Sequence, residues 1–326
     1  MRLLVTGGAG YIGSITTRLL LDAGHEVVVI DSLERGHVPA VDRRAVLVKA
    51  AIGDTEILDS VLPEIDVVIH CAGYIEVAES QELPDLYYRK NLAEPSMMLD
   101  RMLRHGVRRL VFSSTAAVYG QPEVIPIPEE ASTRPINTYG ASKLAFERMI
   151  AVTEDAGELE AVRLRYFNVA GAWPDGSLGE AHDPETHIVP RILRVAAGDH
   201  PTFTVFGADY PTPDGTCVRD YVHVVDLAEA HRAAVEYLGD GGAGTICNLG
   251  SGRGYSNLEV VAECSSATGV EIEVALGPRR AGDPAKLVAS IDRAREVLGW
   301  APTRDLGQMV SDAWRWHSTH PAGYAR

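Results

Sequence analysis

The sequence predicts a doubly wound, parallel α/β sheet followed by a smaller mixed α/β domain. Strand-like apolar segments alternate with helical segments through the first half of the chain, and a glycine-rich turn joins the first strand to the first helix. The length of 326 residues suggests about two domains, so we place a boundary near residue 170, between residues 1–170 and residues 171–326. Residues 173–184 are rich in Gly, Pro and Asp and are typical of a long loop, and the rest of the second part is an irregular mixture of short strands and helices. Residues 226–250 are a candidate to return to the first domain.

The composition excludes several classes of protein. A formal net charge of -15 argues against nonspecific binding to nucleic acid or to an anionic membrane, although a local cluster of arginines could still bind an anionic substrate. The four cysteines form no C-x-x-C pair, so we expect neither a disulfide framework nor a zinc site, and we predict no other metal site. No apolar run approaches about 18 residues, and the chain starts directly with a core strand. We therefore expect a cytoplasmic protein with no membrane span and no signal peptide.

The order of the first elements is typical of a dinucleotide-binding unit of the Rossmann type. An apolar strand leads into Gly7, Gly10 and Gly13, a helical segment follows, and a second apolar strand ends at Asp31. The glycines allow a tight turn and a close approach of the backbone to a pyrophosphate, which the helix N-terminus attracts. An acid at position 31 would bind ribose hydroxyls and repel a 2′-phosphate, so NAD is favoured over NADP.

The alternation of strands and helices continues beyond this unit. Apolar segments predict strands over residues 45–48, 65–70, 108–113 and 161–167, and helical periodicity predicts helices over residues 57–62, 84–104 and 139–156. In the second half we predict short strands over residues 204–206, 245–249 and 271–275. Ligands of such a sheet are expected at the carboxyl ends of its strands.

Tyr139 and Lys143 form a candidate acid–base pair. A spacing of four residues on a helix places both side chains on one face, one turn apart. A tyrosine with a pKa of about 10 is a poor base near neutrality, but an ammonium group and an oxidised nicotinamide would both favour the phenolate. Such a pair could remove the proton of a substrate hydroxyl while hydride leaves the same carbon. The preceding strand ends in the hydroxyl side chains of Ser113, Ser114 and Thr115, where the ligand is expected.

With these residues, the chain resembles the extended short-chain dehydrogenase/reductase superfamily and, within it, the family of UDP-glucose 4-epimerases, also called UDP-galactose 4-epimerases. The resemblance extends over essentially the whole chain. Three of its specific stretches lie outside the cofactor-binding unit and therefore say more about the substrate than the glycines do. The specific stretches are Gly7–Ser14, Phe112–Gly120, Arg165–Asn168, Tyr210–Thr216, Val218–His223 and Pro278–Asp283.

The resemblance implies an enzyme that converts UDP-galactose to UDP-glucose through a transient 4-keto sugar, with NAD bound throughout turnover. Tyr139, as phenolate, would take the proton of the sugar 4-hydroxyl, and Thr115 would hydrogen-bond the 4-oxygen. Lys143 would also hold the nicotinamide ribose. The sugar would turn about its diphosphate link, so the UDP half must be held firmly and the sugar half loosely. The family's usual state is a homodimer.

The resemblance also implies two sets of binding residues. Arg219 and Arg280 match arginines that hold the diphosphate, whose geometry suits a guanidinium fork. Asp283 matches a ribose contact, and Asp54 matches a contact toward the adenine, although such an aspartate is more often only a helix N-cap. The implied cofactor set is Gly7, Gly10, Tyr11, Ile12, Gly13, Asp31, Asp54, Thr55, Ala72, Gly73, Asn91, Ser113, Tyr139, Lys143 and Tyr166. The implied substrate set is Thr115, Tyr139, Asn168, His187, Thr204, Phe206, Arg219, Arg280, Asp283 and Leu287, with Thr204 and Phe206 toward the uracil.

Three positions depart from the family's pattern. Ile75 stands where members often have a basic residue that contacts the cofactor, so one contact is absent or replaced. His187 and Ile188 stand where many members have Asn-Leu, and a lone histidine is more often structural than functional. Leu287 occupies the position of the family's sugar-size gate, where a large aromatic side chain tends to exclude N-acetylated sugars. Because leucine leaves room there, we expect some activity on UDP-N-acetylhexosamines.

The sequence leaves other functions on this fold open. A nucleotide-sugar dehydratase or decarboxylase shares the first step, but these enzymes tend to carry acidic residues after the threonine, where this chain has Ala116 and Ala117. A 4-keto-sugar reductase would need an exchangeable reduced cofactor, and only the substrate motifs separate it from an epimerase. A noncatalytic NAD-binding protein would usually lack the tyrosine or the lysine, and both are present here.

Overall fold

The computed structural model describes residues 1–280 and 283–324, and this part of the chain contains thirteen strands. They are β1 (Arg2–Thr6), β2 (Glu26–Asp31), β3 (Val46–Lys49), β4 (Val67–His70), β5 (Arg109–Thr115), β6 (Glu160–Tyr166), β7 (Asn168–Ala170), β8 (Phe203–Phe206), β9 (Val218–His223), β10 (Thr245–Leu249), β11 (Gly254–Ser256), β12 (Val274–Gly277) and β13 (Lys286–Leu287). Seven of them form one parallel sheet in the order β10-β6-β5-β4-β1-β2-β3. The predicted doubly wound α/β fold is confirmed. Because the strand order reverses between β1 and β4, a crevice opens at the carboxyl ends of these two strands.

Helices cover both faces of this sheet, since its central strands are apolar on both sides. On one face the apolar sides of the first and eighth helices meet each other and the sheet, and on the opposite face the second, fifth and sixth helices bury theirs. The helices of the described residues are α1 (Tyr11–Asp22), α2 (Thr55–Val61), α3 (Val77–Glu82), α4 (Pro84–Tyr88), α5 (Glu94–Arg104), α6 (Thr138–Asp155), α7 (Ile188–Ala196), α8 (Val224–Gly239), α9 (Asn257–Thr268), α10 (Asp292–Leu298) and α11 (Leu306–Thr319).

The chain re-enters the first sheet after it has left it. β10 pairs in parallel with β6, from Thr245 opposite Val162 to Leu249 opposite Tyr166. The preceding helix α8 contributes buried side chains, among them Leu227 and Leu238, to the core beneath the sheet. Residues 224–249 therefore lie with the first half of the chain in space.

A smaller layer of mixed structure faces the carboxyl edge of the main sheet. In it, β9 pairs with β7, β11 and β13, and β8 pairs in parallel with β12. Helices α7, α9 and α11 pack around an apolar cluster that contains Ile192, Val260 and Met309. This layer forms the second wall of the crevice.

Two predicted elements differ from the structure. The strand predicted over residues 271–275 is shifted, because β12 begins at Val274, where its pairing with Phe203 of β8 begins. The helix predicted over residues 84–104 is divided by a π-helical turn at Arg89–Ala93. Pro95 has no N–H to donate to the carbonyl four residues before it, so the regular α-helical pattern cannot continue through this turn.

No α-helix within residues 1–280 and 283–324 has both the length and the apolar character needed to cross a membrane.

Candidate functional site

A cavity of about 1680 Å³ lies between the carboxyl edge of the main sheet and the smaller layer. Single drug-sized ligands usually occupy cavities of about 300–1,000 Å³, so this volume has room for two ligands side by side. The wall includes the glycine loop after β1, the end of β5 and the start of α6, which are the elements that the sequence assigned to cofactor and chemistry. It continues along β8 and β9, which belong to the smaller layer.

The glycine loop is built from close backbone contacts. Gly7 has a φ of 73°, and a Cβ added to it would lie 2.6 Å from the backbone nitrogen of Ala72. A Cβ on Gly13 would lie 2.1 Å from the carbonyl oxygen of Gly7, so only glycine lets α1 begin this close to the loop. Gly10, Tyr11, Ile12 and Gly13 line the cavity, and the N–H groups of a first helical turn have no partner within the helix. This arrangement fits a dinucleotide pyrophosphate.

Asp31 lies at the end of β2 with its carboxylate fixed by backbone donors. The N–H of Ala9 donates to one oxygen at 2.9 Å and the N–H of Leu33 donates to the other at 2.8 Å. Each oxygen keeps an accepting site for a ribose hydroxyl. The neighbouring cation Arg35 binds both oxygens of Glu79 at 2.7 Å, so it is already engaged and does not offer a free partner for a 2′-phosphate. These contacts fit NAD better than NADP.

Helix α6 is positioned so that Tyr139 faces the end of β5. Its N-cap, Asn137, accepts from the N–H of Gly140 at 2.8 Å. A Cβ on Gly140 would lie 2.6 Å from the carbonyl oxygen of Ala117, so glycine allows the helix to approach the turn that follows Thr115. Tyr139 and Thr115 consequently share the cavity wall, and the Thr115 hydroxyl interacts with the phenol.

The electrostatics of Tyr139 differ from the prediction. Burial raises its pKa to about 12, the Thr115 hydroxyl lowers it in part, and the charge of Glu76 raises it further. Lys143 is itself fully buried, and burial lowers the pKa of its ammonium to about 8. Its Nζ donates to the carbonyl oxygen of Ser113 at 3.1 Å. The expectation that Lys143 would by itself favour the phenolate is therefore wrong for the protein alone, because the desolvation of both groups dominates.

A buried ion pair ties α6 to the sheet one turn after Lys143. The guanidinium of Arg165 on β6 donates to the two carboxylate oxygens of Glu147 at 2.9 and 2.5 Å, and both side chains are at least 95% buried. The Ser114 hydroxyl donates to the same carboxylate, and the Tyr119 hydroxyl accepts from Arg165 at 2.9 Å. This network fixes the distance between α6 and the ends of β5 and β6.

Several predicted cofactor residues lie just behind the cavity wall. Asn91 accepts from the N–H of Tyr74 at 2.8 Å and donates to its carbonyl at 2.9 Å, so its amide holds the chain after β4 rather than facing the cavity. A Cβ on Gly73 would lie 3.0 Å from both Asn91 and Lys143, which explains a glycine here. Ser113 is buried beside these groups, whereas Ala72, Gly73 and Tyr166 line the wall.

The smaller layer brings positive charge to the cavity. Arg219 on β9 lies 3.3 Å from Asp283, and Arg280 stacks its guanidinium 4.2 Å from the ring centre of Phe206. Arg191 on α7 faces the same space, where burial and then the nearby Arg280 lower its pKa. Cations that repel one another across a cavity are typical of a site for an anion such as a diphosphate. Asn168 and Thr204 line the wall beside them.

Three residues of the predicted site, Asp54, Thr55 and Leu287, do not line the cavity. Asp54 is exposed and accepts from the N–H of Ile57 at 3.2 Å, so it acts as the N-cap of α2, and neither it nor Thr55 lines the cavity. Leu287 packs against a buried apolar cluster that includes Phe167. Phe167 is the one member of this cluster, as described, that lines the cavity. His187 does line the wall, with its Nδ1 2.6 Å from Glu180.

Sequence reasoning missed several charged residues of the wall. Glu76 is buried near Tyr139, Arg191 lies beside Arg280, and Glu180 and His182 stand next to His187. Position 75, where a basic residue was expected, is also on the wall as isoleucine. The only local signal for Arg191 was its place four residues after His187, which puts both on one face of a helix.

Comparison with known proteins gives consistent results. Residues 3–250 match the family described as the NAD dependent epimerase/dehydratase family. The chain is 49% identical to the UDP-glucose 4-epimerase of Lacticaseibacillus casei over 99% of each chain. It is 40% identical to a solved UDP-glucose-4-epimerase from Stenotrophomonas maltophila with bound NAD and formylated UDP-arabinopyranose, with a TM-score of 0.96 over 98% of this chain and 99% of that one. The solved UDP-glucose 4-epimerase from Bifidobacterium longum, in complex with NAD⁺ and UDP, is 37% identical with a TM-score of 0.94 over 99% of this chain and 100% of that one.

Proposed function

Because the chain belongs to the NAD-dependent epimerase/dehydratase family, we propose that it interconverts UDP-galactose and UDP-glucose by NAD-dependent chemistry at carbon 4 of the sugar. The predicted family is confirmed by full-length relatives. The observation that carries the proposal is that Tyr139 and Thr115 line the same cavity as the glycine loop and Asp31 and as the arginines of the smaller layer.

Tyr139 is the proposed base. With a pKa of about 12, its phenol is protonated at neutral pH unless positive charge is brought close to it. NAD⁺, when bound, would supply the hydride acceptor for carbon 4 and a positive charge that favours the phenolate. Tyr139 then takes the proton of the 4-hydroxyl and returns it after the sugar has presented its other face. We assign the Thr115 hydroxyl to a hydrogen bond with the 4-oxygen and the buried ammonium of Lys143 to the nicotinamide ribose.

The UDP half is assigned to the smaller layer. We propose that Arg219 and Arg280 bind the diphosphate and that Arg191 joins them, because all three guanidinium-bearing side chains line one region. Thr204 and Phe206 are assigned to the uracil, Asp283 to its ribose, and Asn168 to the diphosphate–sugar link. In this assignment the first domain, with residues 224–249, holds NAD and the rest of the chain holds the UDP-sugar.

The alternative reactions lack support at the site. Elimination needs its own acid and base next to the sugar. In the turn after Thr115, the side chains of Ala116 and Ala117 are only methyl groups. The carbonyl oxygen of Ala117 points toward Gly140. Activity on UDP-N-acetylhexosamines is proposed in addition, because Leu287, which stands at the position of the family's aromatic gate, does not reach the cavity wall and so does not narrow the cavity. The test is to incubate UDP-N-acetylgalactosamine with protein that is active on UDP-galactose. If no UDP-N-acetylglucosamine forms, the proposed activity on N-acetylated sugars is wrong.

A homodimer and a cytoplasmic location complete the proposal. Each of α4, α5 and α6 exposes a large apolar side chain, namely Tyr88, Met97 and Val152, with 41%, 44% and 69% of their surface accessible. We assign the dimer interface to the exposed surface of these helices, because exposed apolar side chains are commonly buried in interfaces between chains. The four cysteines Cys71, Cys217, Cys247 and Cys264 are all free thiols, as expected for a protein from a reducing compartment.

The test compares Tyr139→Phe with wild type in a chromatographic assay of UDP-glucose formed from UDP-galactose. Removal of the phenolic hydroxyl abolishes proton transfer, so we expect kcat to fall about 10²–10⁴-fold. Tyr237→Phe, which removes a hydroxyl from α8 outside the cavity wall, is the matched control and is expected to keep full activity. Turnover by Tyr139→Phe at the control's rate would refute the assignment, and no UDP-glucose from wild type would refute the function.

A further inference from the structure

We propose that Glu180, His182, Glu185 and His187 form a binding site for a divalent transition-metal ion of the Zn²⁺ type. One ligand atom of each residue lies within 4.8 Å of the others. Three members of the cluster, Glu180, His182 and His187, line the large cavity, and His187 precedes the first residue of α7; the proposed reaction uses none of the four groups as acid or base. The proposal thus concerns a second kind of ligand, beside NAD and the UDP-sugar.

The backbone around the cluster is firmly anchored. The indole N–H of Trp316 on α11 donates to the carbonyl oxygen of Glu180 at 2.9 Å, and His37 bonds the carbonyl of Ala181 at 2.8 Å. At the other end, His187 is the N-cap residue of α7, and its backbone N–H donates to Oε1 of Glu185 at 2.8 Å. Two short sequences, each with one carboxylate and one imidazole, are thereby held facing each other.

Among the described residues, the two carboxylates of the cluster have only its two imidazoles as cationic neighbours. The side chains of Glu180 and Glu185 are only 4% and 1% exposed, so two carboxylates are buried within a few ångströms. Within residues 1–280 and 283–324, no lysine or arginine nitrogen lies within 4.0 Å of either carboxylate. A buried carboxylate requires a counter-charge, which a protonated imidazole or a bound cation can supply.

Four buried atoms of the cluster face one another without a hydrogen bond of good geometry, although Nδ1 of His182 and of His187 lie at ion-pair distance from Glu180. These are Oε1 of Glu180, Nδ1 of His182, Oε2 of Glu185 and Nδ1 of His187. Buried polar atoms are nearly always hydrogen-bonded, so four orphan atoms that converge in one place require an explanation. A metal ion explains all four, because each orphan atom then donates a lone pair to the ion.

The cluster is compact enough to close around a small cation. Nδ1 of His182 and Nδ1 of His187 lie 3.0 and 2.6 Å from Oε1 of Glu180, and Nδ1 of His187 lies 3.5 Å from Glu185. A tetrahedral Zn²⁺ site with bonds of about 2.0–2.1 Å has about 3.3 Å between its ligand atoms, so His187 and Glu180, which form a close ion pair without the metal, must separate by roughly 0.7 Å when it binds. Two imidazoles with two carboxylates favour zinc, cobalt or nickel over magnesium or calcium, which prefer sites made only of oxygen. His182 and His187 are 21% and 40% exposed on the cavity side, which gives the ion a path of entry.

The experiment titrates Co²⁺ into the EDTA-treated, full-length protein with its bound nucleotide and follows the visible absorption of the cobalt. We expect one Co²⁺ per chain with the intense band of a four-coordinate ion, and loss of that band when Zn²⁺ displaces it. His182→Gln and Glu180→Gln should abolish the band, whereas His200→Gln, which removes an exposed histidine beyond α7, should keep it. His182 is partly exposed, so its variant tests the proposal even if Glu180→Gln does not fold.

Thermal unfolding gives a second measurement. Zn²⁺ should raise the unfolding temperature of wild type and of His200→Gln, because it binds the folded state, and should leave His182→Gln unchanged. If wild type binds no more Co²⁺ than His182→Gln, or if the band survives in both cluster variants, the proposal is wrong and the four residues form a simple ion-pair cluster. Epimerase activity is assayed separately, so failure of metal binding and failure of the proposed function remain distinguishable.

Discussion

The packing of the glycine loop predicts that two substitutions, Gly13→Ala and Gly10→Ala, differ in their effect on the stability of the nucleotide-free protein. A Cβ on Gly13 would lie 2.1 Å from the oxygen and 2.8 Å from the carbon of the Gly7 carbonyl, and 2.9 Å from the Cα of Gly8. All three atoms belong to the backbone, so no side-chain rotation can relieve the overlap. Helix α1 would have to move away from the loop by more than about 1 Å to restore an ordinary contact.

The cost of Gly13→Ala follows from this overlap. Inserting a methyl group into a well-packed site costs about 1–3 kcal/mol, and we expect at least the upper value because both neighbours are fixed. With an unfolding entropy of about 2.1 cal/mol/K per residue, a loss of about 3 kcal/mol lowers the unfolding temperature of the chain by about 4 °C. The displaced helix N-terminus should also bind the pyrophosphate poorly.

Gly10→Ala should behave differently, because its nearest neighbour, the Gly7 carbonyl oxygen, would lie at an ordinary 3.4 Å from the new Cβ. Replacing glycine by alanine at this N-cap position costs about 1 kcal/mol at most. The methyl group would nevertheless occupy the space where the backbone must approach the pyrophosphate. Gly10→Ala should therefore nearly keep the stability of the nucleotide-free protein and lose NAD.

The assay measures two quantities for wild type and both variants: the NAD released per chain on denaturation, and the unfolding temperature after the nucleotide has been removed. We expect both variants to retain little NAD and only Gly13→Ala to unfold clearly earlier. A nucleotide-free Gly13→Ala as stable as wild type, or a Gly10→Ala that keeps its full NAD content, would refute the packing argument.

Three further predictions concern the chemistry, the core and the surface. The negative charge of Glu76 raises the pKa of Tyr139, so Glu76→Gln should lower that pKa. The acidic limb of the pH profile of kcat/KM should then move to lower pH. The control variant Glu82→Gln, which changes an exposed residue of α3, should leave this limb where it is in wild type. An unchanged profile would show that Glu76 does not act on Tyr139. Glu147→Gln leaves the buried Arg165 unpaired and should cost about 3–5 kcal/mol in urea unfolding, while Glu158→Gln, which breaks an exposed pair with Arg108, should cost about 0–1 kcal/mol. Equal costs would contradict the role given to this network. If the proposed homodimer forms through α4–α6, wild type and Val270→Glu should sediment as dimers and the double variant Met97→Glu/Val152→Glu should sediment as a monomer. A dimeric double variant would show that the interface lies elsewhere, and a monomeric wild type would refute the dimer.

Local patterns indicate which residues of the first elements lie together, while their contacts to NAD stay a prediction. The spacing of Gly7, Gly10 and Gly13 and the acid at Asp31 are properties of a few consecutive elements, and all four residues line the same cavity. The pair of Tyr139 and Lys143 could likewise be recognised from helical spacing. The ionisation of that pair could not be predicted, because the pKa of each group depends on burial by strands that are distant in the sequence.

The remaining parts of the site depend on tertiary contacts. Asp54 matched a family contact toward the adenine. In the structure its carboxylate accepts a hydrogen bond from a backbone N–H of its own helix and therefore caps that helix. Arg191 carried no motif and reaches the cavity only because α7 packs on the smaller layer. Glu180, His182, Glu185 and His187 lie within eight positions, yet their convergence depends on anchors such as Trp316, which comes more than 100 residues later.

The most direct test of the central claim is the epimerisation of UDP-galactose in D₂O with purified protein and no added NAD. The hydrogen of carbon 4 should leave as hydride, remain in the protein and return to the same sugar, while Tyr139 handles only the exchangeable proton of the hydroxyl. We predict that UDP-glucose forms and that its proton NMR signal at carbon 4 keeps full intensity. Deuterium at carbon 4 of the product, or no UDP-glucose at all, would contradict this account.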